Sequence, residues 1–240
     1  MILTIISSYY DKSPREIVFL KRRLEDFISL RNIYPDIKMI IVDDGSQDNP
    51  LHQQLDDYDL ENITIATIKQ DLGFNSHGAR NLAMNLTKTD WNFLIDLDYD
   101  LSQINLEKII TYNKNNIILL YPNVFLIHKD TFWSCKGYDE EFVNIHFGDR
   151  ILFEYFFQHY NVIEIGKEMM SPYRKRRGRV LTEQLQKTKY DDPNERLYWQ
   201  PIESYNKLEQ LIQFVTERYQ SNNFSQKNVL NFDWEVNHQS

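Results

Sequence analysis

The stretch Trp91-Asn92-Phe93-Leu94-Ile95-Asp96-Leu97-Asp98-Tyr99-Asp100 decides the fold of this chain. It opens with a short apolar run, which is typical of a strand covered on both faces, because such a strand is apolar without alternation. Charge begins where the strand should end. Alternation along an extended backbone would place Asp96, Asp98 and Asp100 on one side, so that their carboxylates converge. Converging carboxylates favour Mg2+ or Mn2+, which take one or two protein carboxylates and fill their other positions with water and phosphate oxygens.

A D-x-D motif alone is weak evidence for a metal site. Aspartate is common at strand ends and in turns, where its side chain accepts hydrogen bonds from backbone amides. Short motifs therefore match by chance more often than by function. The hypothesis that Asp98 binds a metal depends on the rest of the chain.

Length and composition limit the class of protein. The chain has 240 residues, of which 42% are hydrophobic and 26% charged, as in ordinary globular proteins. Its formal net charge of -8 opposes general attraction to nucleic acid, so no such partner is expected. Cys135 is the single cysteine, which excludes an internal disulfide. No apolar run approaches the roughly 20 residues of a membrane span, so we expect a cytoplasmic protein; its oligomeric state cannot be read from the sequence.

Apolar runs and helix signals alternate along the first half of the chain. Residues 2–6, 37–42 and 63–68 predict strands, and polar residues follow each of them. Ser13-Pro14-Arg15-Glu16 predicts a helix start, with an N-cap serine, a proline at the first helical position and a capping-box glutamate. A second helix is predicted from about His77. This alternation predicts an α/β fold with a mainly parallel sheet, whose ligands bind at the carboxyl ends of the strands.

The first helix is predicted to bury one apolar stripe and to keep its charged residues elsewhere. The stripe would hold Ile17, Leu20, Leu24, Phe27 and Ile28, and the charged residues are Arg22, Arg23, Glu25 and Asp26. The second half of the chain gives a weaker signal. Helices are predicted at 105–115, 130–135, 149–159 and 203–219, and strands at 117–121, 124–127 and 162–165.

Four polar stretches follow the chain in order. They are Val42-Asp43-Asp44-Gly45-Ser46; Gly78-Ala79-Arg80-Asn81; Ile95-Asp96-Leu97-Asp98; and Gly137-Tyr138-Asp139-Glu140-Glu141-Phe142 with Phe147-Gly148-Asp149. Together they resemble the V-D-D-G-S, A-R-N, D-x-D and G-G-F-D-E/G-E-D motifs of GT-A fold glycosyltransferases, in particular the inverting family 2. The order and spacing of four motifs are more specific than any one motif. The resemblance covers about residues 2–165 and implies a Rossmann-like sheet that binds a nucleoside-diphosphate sugar.

The resemblance implies a role for each donor-side motif. Asp43 would accept a hydrogen bond from the uracil imide, beside the loop Ser7-Ser8-Tyr9. Arg80 would face the donor diphosphate with the exposed amides of its helical turn. Asp98 would coordinate Mn2+ or Mg2+, and Asp96 would contact the ribose or a metal-bound water. From the residues alone, a strand-end Asx turn at Asp43 and a surface position for Arg80 stay open.

Asp149 is the candidate base on the acceptor side. An inverting displacement needs a carboxylate that removes the proton of the attacking hydroxyl. Asp139 and Glu140 are the alternatives, and a structural turn with a helix cap at Asp149 is the non-catalytic reading. The basic stretch 173–179 is either a solvated loop or a lid over the donor phosphates.

The expected protein is therefore a metal-dependent transferase that moves a sugar from a UDP-sugar to a hydroxyl acceptor with inversion. Its GT-A catalytic domain would span 1–180, a helical extension 181–220 and a loose tail 221–240. Two alternatives stay open. One is a non-catalytic module that binds a nucleotide sugar. The other is a sugar-phosphate nucleotidyltransferase, which is disfavoured because residues 7–12 lack the glycine-rich loop that such enzymes carry after the first strand.

Overall fold

A computed structural model describes residues 3–11, 14–101, 106, 116–121, 123–140, 143, 148–165 and 230–240. Met1–Ser171 and Lys227–Ser240 belong to one compact unit. The predicted boundaries at 180 and 220, the basic stretch 173–179 and the helix at 203–219 all lie outside the described residues. The same holds for the helix at 105–115, apart from residue 106.

The sheet has eight strands within these residues, and helices lie on both of its faces. The strands are β1 (Leu3–Tyr9), β2 (Lys38–Asp43), β3 (Ile63–Ile68), β4 (Trp91–Leu94), β5 (Asn116–Tyr121), β6 (Val124–His128), β7 (Asn161–Glu164) and β8 (Trp234–Gln239). The helices are α1 (Pro14–Ile33), α2 (Ser76–Leu86), α3 (Lys129–Ser134) and α4 (Gly148–His159), with a 3-10 turn at Leu51–Gln54. The strand order is β7-β5-β6-β4-β1-β2-β3-β8. Only β6 and β8 among these run against the others, so the predicted α/β class with a mainly parallel sheet is confirmed.

Each face of the sheet is covered by a different helix. On one face, Leu20, Leu24 and Phe27 of α1 join alternate residues of the central strands, such as Ile5 and Ile41, in one buried cluster. On the other face, α2 packs against β1 and β2. This double cover explains why the strands read as continuous apolar runs. No helix in the described part of the chain is long and apolar enough to cross a bilayer.

β1 corrects the first predicted loop. We expected Ser7-Ser8-Tyr9 to follow the strand, but the strand continues through Tyr9. The Ser7 hydroxyl donates to the carbonyl of Ile95 at 2.9 Å, and the buried Tyr9 donates its hydroxyl to the carbonyl of Asn49 at 3.0 Å. Polar side chains are compatible with a buried strand here because each finds a hydrogen-bond partner.

α1 corrects the predicted helix face. Arg23, which was placed away from the core, is fully buried. Its guanidinium donates to the carbonyls of Asp96 at 2.7 Å and of Tyr99 at 2.8 Å. Arg23 lies between Leu20 and Phe27 at helical spacing, so its position in the stripe follows the period and only its charge argued against it.

The C-terminus corrects the predicted tail. Residues 221–240 were expected to be loose. Residues 221–229 lie outside the described part of the chain, but in the rest of this tail β8 pairs antiparallel with β3 at the edge of the sheet. A hydrogen bond from the Thr67 hydroxyl to the Asn237 side-chain oxygen at 2.6 Å and an ion pair between Lys69 and Glu235 at 3.1 Å accompany the pairing. The expectation failed because β8 is polar and mostly exposed, as an edge strand can be.

Candidate active site

Two of the four motifs meet at one edge of the sheet because of the strand order. β2 and β4 are the two parallel neighbours of β1. Their carboxyl ends therefore lie on either side of the end of β1, which brings the Asp43-Asp44 segment and the Asp96–Asp98 segment to the same edge. This is the position where open α/β sheets bind ligands.

The Asp43-Asp44 pair shapes the turns at this edge. Asp43 is fully buried, and its two oxygens accept from the amides of Ser46 at 2.9 Å and of Leu51 at 2.7 Å. Burial raises the pKa of Asp43, although these hydrogen bonds act in the opposite direction. Asp44 accepts from the amide of Asn75. The structure thus shows the Asx-type turn at Asp43, with the carboxylate buried beneath this edge of the sheet.

The D-x-D segment is a turn and not a continued strand. β4 ends at Leu94, and the amide of Tyr99 donates to the carbonyl of Asp96 at 3.3 Å. The expected placement of Asp96, Asp98 and Asp100 on one side is therefore wrong, because the turn breaks the alternation of an extended backbone. Asp96 and Asp98 are partly exposed, whereas Asp100 is fully buried.

Arg80 joins the D-x-D turn to the acceptor-side motif. Its side chain is 3% exposed, and it forms an ion pair with Asp96, whose side chain is 38% exposed. The same guanidinium donates to the Tyr138 hydroxyl at 2.7 Å and to the carbonyl of Asn123 at 3.1 Å. Burial alone lowers the pKa of Arg80, but the neighbouring Tyr138 and Asp96 outweigh it and raise the pKa. Arg80 is therefore not a surface arginine, which was the alternative left open by the sequence.

The start of α2 is closed rather than open. The Asn75 side chain caps the helix by accepting from the amide of Gly78 at 3.0 Å, and the carbonyl of Asn75 accepts from Ala79 at 3.1 Å. A Cβ at Gly78 would lie 2.7 Å from the ring of Phe232. The expectation that this helical turn offers exposed amides to a diphosphate is therefore wrong for Gly78 and Ala79.

Asn81 holds the acceptor-side turn in place. Its side chain accepts from the amide of Tyr138 at 2.8 Å and donates to the carbonyl of the same residue at 3.0 Å. Gly137 has φ of +69°, and a Cβ there would lie 2.5 Å from the Asn81 oxygen. Only glycine fits at this position, which gives the glycine of the motif a structural reason.

Asp149 interacts electrostatically with the Arg80 cluster, which consists of Arg80, Asp96 and Tyr138. It is the second residue of α4 and is partly buried. Burial is the main cause of the raised pKa of Tyr138, and the charge of Asp149 raises that pKa further. The same charge contributes to the raised pKa of Arg80. The structure thus gathers Asp149, Tyr138, Arg80 and Asp96 from three separate motifs into one electrostatic cluster.

The donor set at this edge suits a hard divalent cation. No group of three or more histidine, cysteine or acidic side chains among the described residues is arranged to hold a metal. Mg2+ and Mn2+ in phosphate sites commonly take only one or two protein carboxylates. The partly exposed carboxylates of Asp98 and Asp96 match that requirement in number and in ligand type.

Two features of the site were missed by the sequence analysis. Arg23 holds the D-x-D turn from behind, as described above. Tyr10 and Phe74 lie at the same edge with their rings tilted together, 6.5 Å between centroids, and both are partly exposed. The hydroxyl of Tyr10 donates to Asp71 at 3.1 Å. Tyr9, which was expected beside the base, is buried in the core, and its neighbour Tyr10 is the partly exposed aromatic residue at this edge.

Several solved structures of other proteins are similar to this one. The structure of TarS 1-349 from S. aureus matches with a TM-score of 0.55 and 11% identity, over 71% of this chain and 59% of that one. The mannosyltransferase PcManGT from Pyrobaculum calidifontis, in complex with GDP-Man and Mn2+, matches with a TM-score of 0.49 and 14% identity, over 73% of this chain and 58% of that one. A mutant of a Drosophila galactosyltransferase, in complex with manganese, UDP-Gal and xylobiose, matches with a TM-score of 0.47 and 10% identity, over 73% of each chain. The match covers about three fifths of the length of each of the first two proteins.

No curated protein matches the chain. The sequence profile of glycosyl transferase family 2 matches residues 5–174, which include all four motifs and the described site. The GT-A fold expected from the motifs agrees with the observed sheet and with the TarS structure. The chain belongs to glycosyl transferase family 2.

Proposed function

We propose that this chain transfers a sugar from a UDP-sugar to a hydroxyl acceptor with inversion, in a reaction that depends on Mn2+ or Mg2+. The observation that carries the proposal is the Arg80 cluster. A buried arginine pairs with the first aspartate of the D-x-D turn and also contacts the turn that precedes Asp149. One cation thus connects the segment assigned to the donor with the segment assigned to the acceptor.

The donor side of the proposal rests on the exposed groups at the carboxyl edge. Asp98 would hold the metal, and Asp96 would contact the ribose or a metal-bound water with the oxygen that Arg80 does not bind. Tyr10 and Phe74 offer partly exposed rings for the base. Ser7, Tyr9 and Asp43 lie beneath this surface with buried side chains, so we assign them to its support.

The acceptor side rests on Asp149. In an inverting displacement the acceptor oxygen attacks the anomeric carbon while the bond to the diphosphate breaks, and a carboxylate takes the hydroxyl proton. Asp149 is partly buried and interacts electrostatically with Arg80, and we propose that its carboxylate takes this proton. A bound divalent ion would supply charge stabilisation for the leaving diphosphate.

Glu140 is less suited to this role than Asp149. Its oxygens accept from Asn81 and from the amides of Leu230 and Asn231, at 2.8, 2.8 and 3.3 Å. These contacts make Glu140 an anchor for the C-terminal segment. We therefore retain Asp149 as the proposed base.

The direct test is release of UDP from UDP-sugars in the presence of Mn2+, by the wild type and by Asp149→Asn. We expect the substitution to reduce kcat by about 100-fold or more, the usual scale of general-base catalysis, and to leave UDP affinity unchanged. An unchanged kcat would reject Asp149 as the base. Wild-type protein that binds UDP with Mn2+ but releases none from any donor sugar would instead identify a non-catalytic binding module.

A further inference from the structure

The D-x-D turn is held from inside the protein by α1. Arg23 is fully buried, and one nitrogen of its guanidinium, Nη2, donates to the carbonyls of Asp96 at 2.7 Å and Tyr99 at 2.8 Å. These two carbonyls flank Asp98. The same Asp96 carbonyl accepts from the Tyr99 amide at 3.3 Å, which closes the turn. Arg23 therefore binds both ends of the turn that carries Asp98.

Asp26 adds a second contact from the same helix. It lies three residues after Arg23, which places both side chains on one side of α1. One oxygen of Asp26 accepts from the amide of Leu101 at 3.0 Å. The helix thus contacts the backbone of the segment at three points, the Asp96 and Tyr99 carbonyls and the Leu101 amide.

A buried arginine is expensive in free energy unless its hydrogen bonds are well placed. A leucine at this position would fill the apolar stripe without that cost. The hydrogen bonds of Arg23 described above go to two backbone carbonyls of this turn, so they fix its conformation through the main chain.

We propose that Arg23 is a positioning residue that preorganises the metal-binding turn, with Asp26 in support. It holds the backbone of residues 96–99 so that Asp98 is already oriented before the metal and the diphosphate bind. The proposal rests on the function proposed above, because it assumes that Asp98 is the metal ligand. Arg23 itself touches neither metal nor substrate.

Arg31 provides a matched control within the same helix. It is also buried, donates to the carbonyl of Glu61 and pairs with Asp59, near the opposite end of α1. The variants are Arg23→Met, Arg23→Lys and Arg31→Met. Calorimetry with UDP and Mn2+, the Mn2+ concentration for half-maximal UDP release, and thermal melting are measured for each.

We expect Arg23→Met to bind UDP in the presence of Mn2+ about 10–100-fold more weakly, the scale seen when the outer support of a metal site is removed. The half-maximal Mn2+ concentration should rise in parallel, and Arg23→Lys should recover part of the loss. Arg31→Met should melt earlier and keep its UDP affinity. Equal UDP affinity in Arg23→Met and wild type, or an equal loss in Arg31→Met, would overturn the proposal.

Two further measurements keep the proposal testable. If Arg23→Met does not fold, Asp26→Ala removes the hydrogen bond to the Leu101 amide and should weaken Mn2+-dependent UDP binding; unchanged binding then rejects the proposal. If the wild type binds no UDP with Mn2+, the proposed function fails. In that case, amide hydrogen exchange at Tyr99 and Leu101 tests the positioning role, which requires faster exchange in Arg23→Lys and not in Arg31→Met.

Discussion

At the scale of single residues, Arg80 determines how the site is built. Its guanidinium is buried and binds a carboxylate, a phenol and a carbonyl. Truncation of one partner in such a group leaves a buried charge with too few hydrogen bonds, which costs more than the bond itself contributes. Asp96 is half exposed and can be hydrated, so Tyr138 is the partner whose loss Arg80 tolerates least.

Tyr138→Phe tests this expectation. The substitution removes the hydroxyl that accepts from Arg80 and changes little else, because the ring stays stacked on His77 with 5.0 Å between centroids. We expect a loss of about 1.5–3 kcal/mol in the free energy of unfolding, measured in urea. Tyr58→Phe, at a partly exposed tyrosine, is the control and should stay within about 0.5 kcal/mol of wild type. A Tyr138→Phe variant as stable as the control would show that the hydroxyl does not support Arg80.

The roles of the candidate site residues stay predictions, and the structure shows that their environments were not predicted from the sequence. The motifs identified Asp96, Asp98, Arg80 and Asp149 because each combines a polar residue with a strand or helix end. Burial was not accessible in the same way. The sequence cannot distinguish a buried Arg23 from a surface arginine, because the carbonyls it binds belong to a turn 73 residues further along the chain.

At the scale of elements, the C-terminal segment 230–240 stabilises the start of α2. Phe232 is buried against Gly78, and the carbonyl of Asp233 accepts from the amide of Lys69 at 2.8 Å. Glu140 accepts from Leu230 and Asn231 and also from Asn81 of α2. One carboxylate therefore connects the acceptor-side motif, α2 and the segment before β8.

Gly78→Ala tests the packing of this segment. A Cβ at Gly78 would lie 2.4 Å from the Asn75 side chain and 2.7 Å from the Phe232 ring. We expect the overpacking to lower the free energy of unfolding by about 1–3 kcal/mol, although alanine favours a helix more than glycine does. Ser76→Ala in the same turn is the control. The new methyl group at position 78 would touch the Phe232 ring. The double variant Gly78→Ala with Phe232→Ala should therefore lose less free energy of unfolding than the two single variants lose together. Additive effects would mean that Phe232 does not pack on Gly78.

Glu140 gives the same segment a pH dependence. Burial raises its pKa above the ordinary value of 4.5, although its three hydrogen bonds lower it. The folded state then binds the proton more tightly than the unfolded state does. This contribution to stability is complete below pH 4.5 and is lost as the pH rises through the raised pKa. We expect the stability of wild type relative to Glu140→Gln to increase as the pH falls from about 7 towards that value. A relative stability that decreases on acidification would contradict the raised pKa.

At the scale of the whole molecule, the alternation of strands and helices predicted the α/β class, and the motifs led to the GT-A family. The strands from β1 to β6 fall close to their predicted positions because each is a largely apolar run. β7, at the edge of the sheet, was predicted from its two central apolar residues, Val162 and Ile163. β8 could not be predicted in this way. Its side chains are mostly exposed, and its pairing with β3 depends on backbone hydrogen bonds that leave no side-chain pattern.

The turn that carries Asp98 is proposed to bind a divalent cation together with the diphosphate of the donor. Titration calorimetry with UDP, with and without Mn2+, tests it most directly in wild type, Asp98→Ala and Asp90→Ala. Asp90 is an exposed aspartate just before β4, at the opposite end of the same strand. We expect wild type and Asp90→Ala to bind UDP tightly only with Mn2+, and Asp98→Ala to lose about 100-fold, close to 3 kcal/mol. Equal Mn2+-dependent affinity in Asp98→Ala and wild type would contradict the account.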